Sequence, residues 1–271
     1  MIELFEQNIK TNDRQSSKGN QIKWKNQNKW YKADYTGYEG LVEYVISKLL
    51  EKSSLKKEEF VIYDPIEIKY KNNVFNGVCS ADFLSEGWQI ITLERLFQNH
   101  FGKSLNKAIW SINDEKNRLE FIVKNVERIT GLKDFGIYMN KVLTIDTLFL
   151  NEDRHTHNIA VLMNDKQEFK LCPIFDNGAG LLADTTMDYP LGIDIYDLIK
   201  TVKSKTFSTS FNEQLFASEE LYGINIKFSF TKKDIDAVLS EKKAAIYSIE
   251  IRERVKDVLY EQMRKYPYLF Q

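Results

Sequence analysis

One stretch of the sequence, residues 151–180, constrains the fold more than any other. It reads NEDRHTHNIAVLMNDKQEFKLCPIFDNGAG. Two apolar runs, residues 159–163 and 169–175, are separated by the turn-forming pair Asn164-Asp165, and this order predicts a β-hairpin. One polar loop precedes the hairpin and a second follows it. Because the two ends of a hairpin lie side by side, we expect these loops to meet.

The two loops carry two acids and an amide. Asp153 and Asn158 lie in the first loop, and Asp176 opens the second. Carboxylate and amide oxygens are ligands that Mg²⁺ prefers. The order is an aspartate, then an asparagine five residues later, then a second aspartate after a hairpin. Protein kinases use this arrangement for phosphoryl transfer. We therefore predict that Asp153 is the catalytic base and that Asn158 and Asp176 bind Mg²⁺.

Other interpretations of these loops are weaker than the joint pattern. An aspartate in a hairpin loop is usually only a turn former. His155 and His157 suggest zinc, but alternate loop positions without a nearby cysteine or further histidine make poor zinc ligands. We expect His155 to hold the loop by hydrogen bonding instead. We also expect Gly178 and Gly180 to let the second loop turn sharply.

The first third of the chain alternates between apolar and polar positions, except in one helical segment. The predicted strands lie within residues 1–35, at 60–70 and at 74–83, and the predicted helix lies at 38–50. Residues 11–21, TNDRQSSKGNQ, are rich in turn formers and predict a loop between two strands. This part of the chain therefore predicts a small sheet with one helix.

A lysine at the end of one predicted strand is the candidate for binding phosphate. Lys32 follows Trp30 and Tyr31 and precedes the predicted helix. In kinases a strand lysine binds the nucleotide phosphates, and a glutamate of the next helix holds it. We predict this role for Lys32, with Glu39 or Glu43 as its partner.

The second half of the chain has mainly helical spacing. An apolar stripe at residues 119–129 predicts a helix that ends at Gly131, since glycine suits the left-handed position after a helix. Residues 244–263 predict one long amphipathic helix. Between these lies the segment SKTFSTSF, residues 204–211, which is biased towards hydroxyl groups and has no predicted role.

These patterns predict an α+β fold with two lobes. A β-rich N-lobe with one helix, the loop of residues 11–21 and Lys32 covers residues 1–90. A helical C-lobe with the catalytic and metal-binding loops covers residues 91–271. The chain has 271 residues, which is long enough for one two-lobed catalytic unit with its own core.

Composition argues against several function classes. The net charge is −1 and lysines are scattered among acids, so direct nucleic-acid binding is not predicted. Cys79 and Cys172 lie far apart without a metal-binding pattern, which suits reduced cytosolic thiols. No apolar stretch approaches the roughly 18 residues of a membrane span, and the start, MIELFEQNIK, lacks a signal peptide. We predict a protein that is cytoplasmic at synthesis, while export without a cleavable signal stays open.

Together the quoted residues resemble the motifs of the HipA-like serine/threonine kinases, a bacterial family similar to protein kinases and phosphatidylinositol kinases. Residues 151–158, NEDRHTHN, resemble the family's catalytic loop N-x-D-x-H-x-x-N, and residues 173–176, PIFD, resemble its metal-binding P-x-[YF]-D. Residues 16–23, SSKGNQIK, are similar to its phosphate loop S-x-x-G-x-Q-x-K. Lys32 falls where the family's nucleotide-binding lysine is expected, and Tyr38-Glu39 resembles the N-E pair that opens its helix.

The resemblance implies a protein-kinase-like fold of the HipA and phosphatidylinositol-kinase type that uses ATP and Mg²⁺. The nucleotide-binding residues that it implies are Ser16, Ser17, Lys18, Gly19, Gln21, Lys32, Glu39, His155 and Asp176. In the family a serine of the phosphate loop is autophosphorylated, which disables nucleotide binding. Ser16 matches that serine and Ser17 lies beside it, while Gly19-Asn20 departs from the usual glycine-alanine.

The chain resembles compact members of the family, CtkA and the HipT-type toxins of split HipBST-like systems, more than full-length HipA. The resemblance therefore implies a toxin or effector with a protein substrate and, in toxin systems, an antitoxin partner. Two alternatives stay open. One is a pseudokinase or partner-regulated nucleotide-binding module, which the single glycine of the phosphate loop favours. The other is a kinase for lipids or small alcohols, although the sequence shows no basic or amphipathic membrane face.

Overall fold

The structure is a computed structural model that describes residues 1–10 and 21–271. Its strands are β1 (Ile2–Leu4), β2 (Lys23–Asn26), β3 (Lys29–Ala33), β4 (Tyr63–Tyr70), β5 (Asn73–Ala81), β6 (Trp88–Thr92), β7 (Ala160–Asn164) and β8 (Phe169–Leu171). Its helices are α1 (Glu39–Leu50), α2 (Leu93–Phe101), α3 (Leu105–Trp110), α4 (Glu115–Thr130), α5 (Phe135–Phe149), α6 (Ile195–Thr201), α7 (Phe211–Tyr222), α8 (Lys232–Ser240) and α9 (Ile249–Lys265). Within the described ranges, no helix combines the length and apolarity needed to cross a membrane.

The N-terminal part forms a sheet of order β1-β4-β5-β3-β2. β1 pairs with β4 in parallel, and the other neighbouring strands are antiparallel. Successive side chains of a strand point to opposite faces. Tyr31 and Ala33 therefore share one face of β3, where they pack with Trp24 in a small apolar cluster. Lys32 takes the opposite face and points towards α1.

Helix α1 lies between the sheet and the helical part of the molecule. It packs on β4 and β5, and its Tyr44 hydroxyl donates to the Glu241 carboxylate at 2.5 Å. Just before the helix, the Tyr38 hydroxyl donates to the carbonyl of Leu181 at 2.7 Å. The predicted apolar stripe is only part of its buried surface, because Glu43, which lies off that stripe, is buried as well. A buried carboxylate needs a charged partner, and Lys32 supplies it.

The predicted hairpin is present as β7 and β8, and β6 extends it to a sheet of order β6-β7-β8. Strand β8 ends at Leu171, earlier than predicted, because the chain then crosses to the N-terminal part. There the Ile174 N–H donates to the Glu59 carbonyl at 2.7 Å, and the Ile174 carbonyl accepts from the Val61 N–H at 3.0 Å. The predicted lobe boundary at residue 90 falls within β6, and that boundary stays a prediction.

The helices of the second half agree with the sequence pattern in one place and differ in another. α4 ends at the predicted Gly131, which has a left-handed φ of 76°. The single long helix predicted for residues 244–263 is wrong. A 3₁₀ turn, Ala244–Ile246, is followed by extended Tyr247, and α9 begins after Ser248. The Ser248 hydroxyl accepts the Ile251 N–H at 3.3 Å, which gives the new helix its own N-terminal cap.

The break before α9 lets Tyr247 reach a buried carboxylate of the N-terminal part. Asp34 accepts the Tyr247 hydroxyl at 2.8 Å and the N–H of Gly40, in the first turn of α1, at 2.6 Å. Burial raises the pKa of Asp34 to about 7, and the charge of Glu39 acts in the same direction, against the lowering effect of the two hydrogen bonds. The protonated form of Asp34 is therefore the one that this packing favours.

We expect Asp34→Asn to stabilise the protein above neutral pH. The pKa of Asp34 rises from an ordinary 3.8 to about 7 on folding, so its ionisation costs stability progressively as pH rises between those values, up to roughly 4 kcal/mol. Asparagine removes that cost, keeps the acceptor for the Gly40 N–H and can donate to the Tyr247 hydroxyl. Urea unfolding from about pH 5 to about pH 8 should show a mutant advantage that grows with pH.

The control for this experiment is Asp165→Asn, an exposed carboxylate in the β7–β8 turn. It should change the free energy of unfolding by a similar small amount at every pH. An Asp34→Asn difference that is equally independent of pH would contradict the raised pKa.

Candidate active site

The first predicted loop begins where α5 ends. Leu150 follows the helix with a left-handed φ of 54°. The next residue, Asn151, turns back to the helix, because its N–H donates to the Asp146 carbonyl and its side-chain amide to the Asp146 carboxylate, both at 2.8 Å. The loop is therefore fixed to the last turn of α5 before it reaches Asp153.

A buried arginine joins this loop to the one that carries Asp176. The Arg154 guanidinium bonds the Asp146 carboxylate at 3.0 Å, the Phe175 carbonyl at 2.7 Å and the Asn177 side-chain oxygen at 2.7 Å. It also bonds the Asn158 carbonyl at 3.1 Å. One side chain thus fixes the spacing between the two predicted loops, as the planar fork of arginine allows.

Asp153, Asn158 and His155 lie together in the first loop. The Asn158 side-chain amide donates to the Asp153 carbonyl at 2.8 Å, and it lies 3.5 Å from the Asp153 carboxylate. His155 Nδ1 accepts the His157 N–H at 3.2 Å, which agrees with the predicted hydrogen-bonding role of this histidine, and its Nε2 lies 3.9 Å from Asp153 Oδ1. Burial lowers the pKa of His155 to about 4, helped by the charge of His157, so its imidazole is neutral at neutral pH.

Asp176 opens the second loop in a left-handed conformation, with φ of 63°. Its Oδ1 accepts Lys32 Nζ at 2.6 Å. Burial alone would raise the pKa of Asp176, but the ammonium groups of Lys23 and Lys32 hold it well below its usual range, so the carboxylate is ionised. Burial likewise opposes the charge on Lys32, but Asp176 and Glu43 outweigh it and raise the pKa of the lysine.

Glu43 is the glutamate that pairs with Lys32, which decides between the two predicted partners. Lys32 Nζ donates to Glu43 Oε1 at 2.7 Å, and the second oxygen of Glu43 accepts the Asn177 N–H at 3.0 Å. Glu39 instead accepts the backbone N–H of Thr36 at 2.8 Å and of Gly37 at 3.1 Å. Glu43 therefore links the strand lysine to the loop of Asp176, whereas Glu39 closes the turn before α1.

The two glycines of the second loop act by close packing. The second loop turns at Gly178, as predicted, because the Gly180 N–H donates to the Asn177 carbonyl at 3.0 Å and closes a turn. The left-handed residues near the two glycines are Asp176, Leu181 and Leu182. A Cβ on Gly180 would lie 2.7 Å from the Phe149 carbonyl oxygen. A Cβ on Gly178 would lie 3.3 Å from atoms of both Glu39 and Glu43. The glycines thus let the loop lie directly against α1 and α5.

A cleft lies between these groups. The predicted residues that line it are Gln21, Glu39, Asp153, Asn158 and Asp176. Lys23 of the phosphate-loop motif also lines it. The other predicted residues of that motif, Ser16, Ser17, Lys18 and Gly19, lie outside the described residues.

Some polar residues at this cleft have no signal in the sequence. Glu152 and Asp184 line it, and no sequence motif marks either of them. Glu43, one of the two predicted partners of Lys32, lines it as well. Lys205 places its Nζ 3.6 Å from Asp153 Oδ1. The only sign of Lys205 in the sequence was its position inside the hydroxyl-rich segment SKTFSTSF.

Within the described residues, the side chains of the cleft supply only part of the coordination shell of a divalent cation. Among the described residues, no group of three or more His, Cys, Asp and Glu side chains is placed to bind a metal ion. Asp176 and Asn158 offer two oxygen-bearing side chains. Water molecules and oxygens of a bound phosphate would complete the coordination shell, as they do in many Mg²⁺ sites.

Comparison with known proteins assigns the fold. No protein-family model and no curated protein matches the sequence significantly. The solved structure of CtkA, a proinflammatory kinase of Helicobacter pylori, matches with a TM-score of 0.61 over 90% of each chain at 18% sequence identity. HipA of Shewanella oneidensis MR-1, a toxin–antitoxin protein solved with HipB and operator DNA, gives a TM-score of 0.42 at 14% identity. The match covers 88% of this chain and 58% of that one, and at this score it adds nothing to the assignment.

The likeness to CtkA confirms the predicted fold class and, at the level of the fold, the predicted resemblance. The chain has a two-lobed, kinase-like α+β fold with a β-rich N-lobe and a helical C-lobe. The separate role predicted for each cleft residue stays a prediction.

Proposed function

We propose that this protein is an ATP- and Mg²⁺-dependent serine/threonine protein kinase. The observation that carries the proposal is that groups from distant parts of the chain meet at one cleft. Lys32 lies 2.6 Å from Asp176, and Asp153 and Asn158 line the cleft beside Asp176. Phosphoryl transfer needs phosphates held, charge neutralised and a nucleophile positioned, and these four residues can supply all three.

The polar atoms of the cleft suit Mg²⁺ and a triphosphate. Asp176 is held ionised, and Asn158 turns its amide nitrogen to Asp153, so its amide oxygen is the atom left for a cation. Mg²⁺ bound by these two residues would neutralise phosphate charge during transfer. Lys32 would bind the phosphates, held in place by Glu43.

Asp153 is the proposed general base. It would accept the proton of a serine or threonine hydroxyl while the hydroxyl oxygen forms a bond to the γ-phosphorus of ATP. The bond from that phosphorus to the β,γ-bridging oxygen breaks, and its electron pair leaves with ADP. The products are a phosphoester and ADP, with the proton first on Asp153 and then in solvent.

From the motif resemblance we extend the proposal to regulation and biological role. Ser16, or Ser17 beside it, is the proposed site of autophosphorylation. Gln21, the first residue after this segment that the structure describes, lines the cleft. A toxin or effector acting on a protein substrate is the proposed role. An antitoxin partner is proposed for the toxin case.

The test is incubation of the purified protein with Mg²⁺ and ATP that carries a radioactive γ-phosphate. We expect label on the protein itself, at Ser16 or Ser17 by peptide mapping, and on a generic substrate such as myelin basic protein. Chelation of Mg²⁺ by EDTA should abolish both signals. Samples with and without prior phosphatase treatment control for protein that was inactivated by its own phosphorylation during expression.

The alternatives give different results in the same experiment. Tight ATP binding without transfer, even after phosphatase treatment, would select the pseudokinase or binding-module alternative. Transfer to lipid vesicles or to small alcohols, with no label on protein, would keep a kinase and reject the protein substrate. Absence of both nucleotide binding and transfer would reject the proposal.

A further inference from the structure

The segment that the sequence marks only by its hydroxyl content forms a fixed loop beside the cleft. We call residues 202–210, between α6 and α7, the hydroxyl-rich loop. Ser204 and Thr206 are buried within it. The Ser204 hydroxyl donates to the Ser208 carbonyl at 2.7 Å, and the Thr206 hydroxyl donates to the Arg154 carbonyl at 2.7 Å. The loop is thereby bonded directly to the residue that follows Asp153.

Two helices hold the same loop from its other side. Phe207 is fully buried, its N–H donates to Gln214 of α7 at 2.9 Å, and its carbonyl accepts the Arg118 guanidinium of α4 at 2.9 Å. The Ser208 hydroxyl donates to Glu213 at 2.6 Å. Because buried polar groups are costly unless they are bonded, this network specifies one conformation of the loop.

The residue that this conformation places beside Asp153 is Lys205. Its flanking neighbours, Ser204 and Thr206, are turned inward, whereas its own side chain remains 38% exposed. Its ammonium lies 3.6 Å from Asp153 Oδ1. Its charge also helps to lower the pKa of His155, for which burial and the charge of His157 are the larger causes and Asp176 acts in the opposite direction.

A half-exposed ion pair does not by itself explain this arrangement. Such pairs contribute little to stability. A lysine beside a general base also favours the ionised carboxylate, which makes it a weaker proton acceptor. A lysine here is useful when a further negative charge arrives next to Asp153.

The reaction proposed above brings such a charge. A hydroxyl within hydrogen-bonding distance of Asp153 attacks phosphorus from about 3 Å, so the phosphoryl oxygens come within several ångströms of the same carboxylate. We propose that Lys205 is a phosphate-binding catalytic residue that contacts the transferred phosphoryl group. This inference rests on the proposed kinase function. When the hydroxyl proton moves to Asp153, the ammonium loses its ground-state partner and pairs with the phosphoryl oxygens, so its contact strengthens in the transition state.

The first test compares Lys205→Ala with Lys203→Ala, an exposed lysine two positions earlier in the same loop. We expect Lys205→Ala to lower kcat for transfer to myelin basic protein roughly 100-fold, as loss of one transition-state donor does, and to change KM for ATP less than about threefold. The melting temperature should not change. Lys205→Arg should recover part of the rate, and Lys203→Ala should behave as wild type.

The second test measures binding without turnover. Aluminium fluoride with ADP and Mg²⁺ imitates the phosphoryl group during transfer. In the wild type, aluminium fluoride should increase the affinity for ADP. We expect Lys205→Ala to reduce this increase roughly 30-fold and to leave the affinity for ADP alone unchanged. Lys203→Ala should leave both affinities unchanged.

The outcomes separate this inference from the proposed function. If wild type transfers phosphate and Lys205→Ala matches Lys203→Ala in both tests, the role of Lys205 is rejected and the kinase proposal stands. A Lys205→Ala protein that melts earlier and loses ADP binding would make the lysine structural and also reject the role. If wild type neither binds ADP nor transfers phosphate, the kinase proposal fails and this inference fails with it.

Discussion

Asp153→Asn should abolish phosphoryl transfer and leave nucleotide binding intact. Asparagine has nearly the same shape, and the backbone contact of residue 153, whose carbonyl accepts the Asn158 amide at 2.8 Å, stays in place. The amide cannot take a proton from a hydroxyl. Because general-base catalysis contributes about 10²–10⁴-fold, we expect kcat to fall by roughly 10³-fold. Labelled transfer measures the rate, and calorimetric titration with ATP and Mg²⁺ measures the binding.

Asp176→Asn should abolish transfer and weaken Mg²⁺-dependent ATP binding as well. The Asp176 carboxylate is the charged group of the proposed cation site and also a partner of Lys32 at 2.6 Å. Its loss leaves Lys32 paired with Glu43 and leaves the cation without an anionic side-chain ligand. We expect ATP affinity to fall at least about 10-fold when Mg²⁺ is present and much less when EDTA has removed it.

Asp153→Asn should lose transfer alone, whereas Asp176→Asn should lose both transfer and Mg²⁺-dependent ATP binding. Asp184→Asn is the matched control, since Asp184 lines the same cleft but has no proposed part in transfer. Its amide oxygen can still accept the Met187 N–H, which Asp184 bonds at 3.0 Å, and transfer should stay within a few-fold of wild type. Asp153→Asn protein that keeps more than about a tenth of the wild-type rate would contradict the assignment of Asp153 as the base.

Local sequence patterns are enough to place the centre of this site. Asp153 and Asn158 share one short loop, so their spacing alone brings them together, and the hairpin returns the chain to Asp176. Alternation along β3 places Lys32 on the face opposite Tyr31. In each case the controlling interactions are local or follow one regular period.

The remaining features depend on contacts that no local pattern contains. Glu39 and Glu43 are four residues apart and lie on the same side of a helix, so spacing cannot decide which one meets Lys32. The Glu39 carboxylate accepts backbone N–H groups before α1, and Glu43 is the glutamate that bonds Lys32. No local pattern marks strand β6, which is defined by its pairing with β7. Lys205 is brought to Asp153 by a loop that follows α6.

Arg154→Met should destabilise the protein more than any other single substitution proposed. The Arg154 guanidinium is buried and pairs with the buried carboxylate of Asp146 at 3.0 Å, while also bonding Phe175 and Asn177. Methionine of similar length would leave Asp146 without its cation and several acceptors without a donor. Removing one partner of a buried ion pair costs about 3–5 kcal/mol, and urea unfolding at neutral pH should show a loss of that size.

A double-mutant cycle separates the ion pair from the other bonds of Arg154. Burial already raises the pKa of Asp146, against the lowering effects of Arg154 and Asn151, so the carboxylate is most costly when the arginine is absent. Adding Asp146→Asn to Arg154→Met should therefore recover about 1–3 kcal/mol of the loss. Arg128→Met, on the exposed face of α4, should change stability by less than about 1 kcal/mol.

The same cycle predicts activity, because Arg154 also fixes the distance between the two loops. The double variant removes the uncompensated charge but cannot restore the bonds to the Phe175 carbonyl and the Asn177 side chain. Stability should therefore recover in part while transfer stays at least roughly 10-fold below wild type, since small errors in positioning are costly for catalysis. Recovery of both together would show that Arg154 acts only through Asp146, and additive losses would show that the ion pair is not coupled.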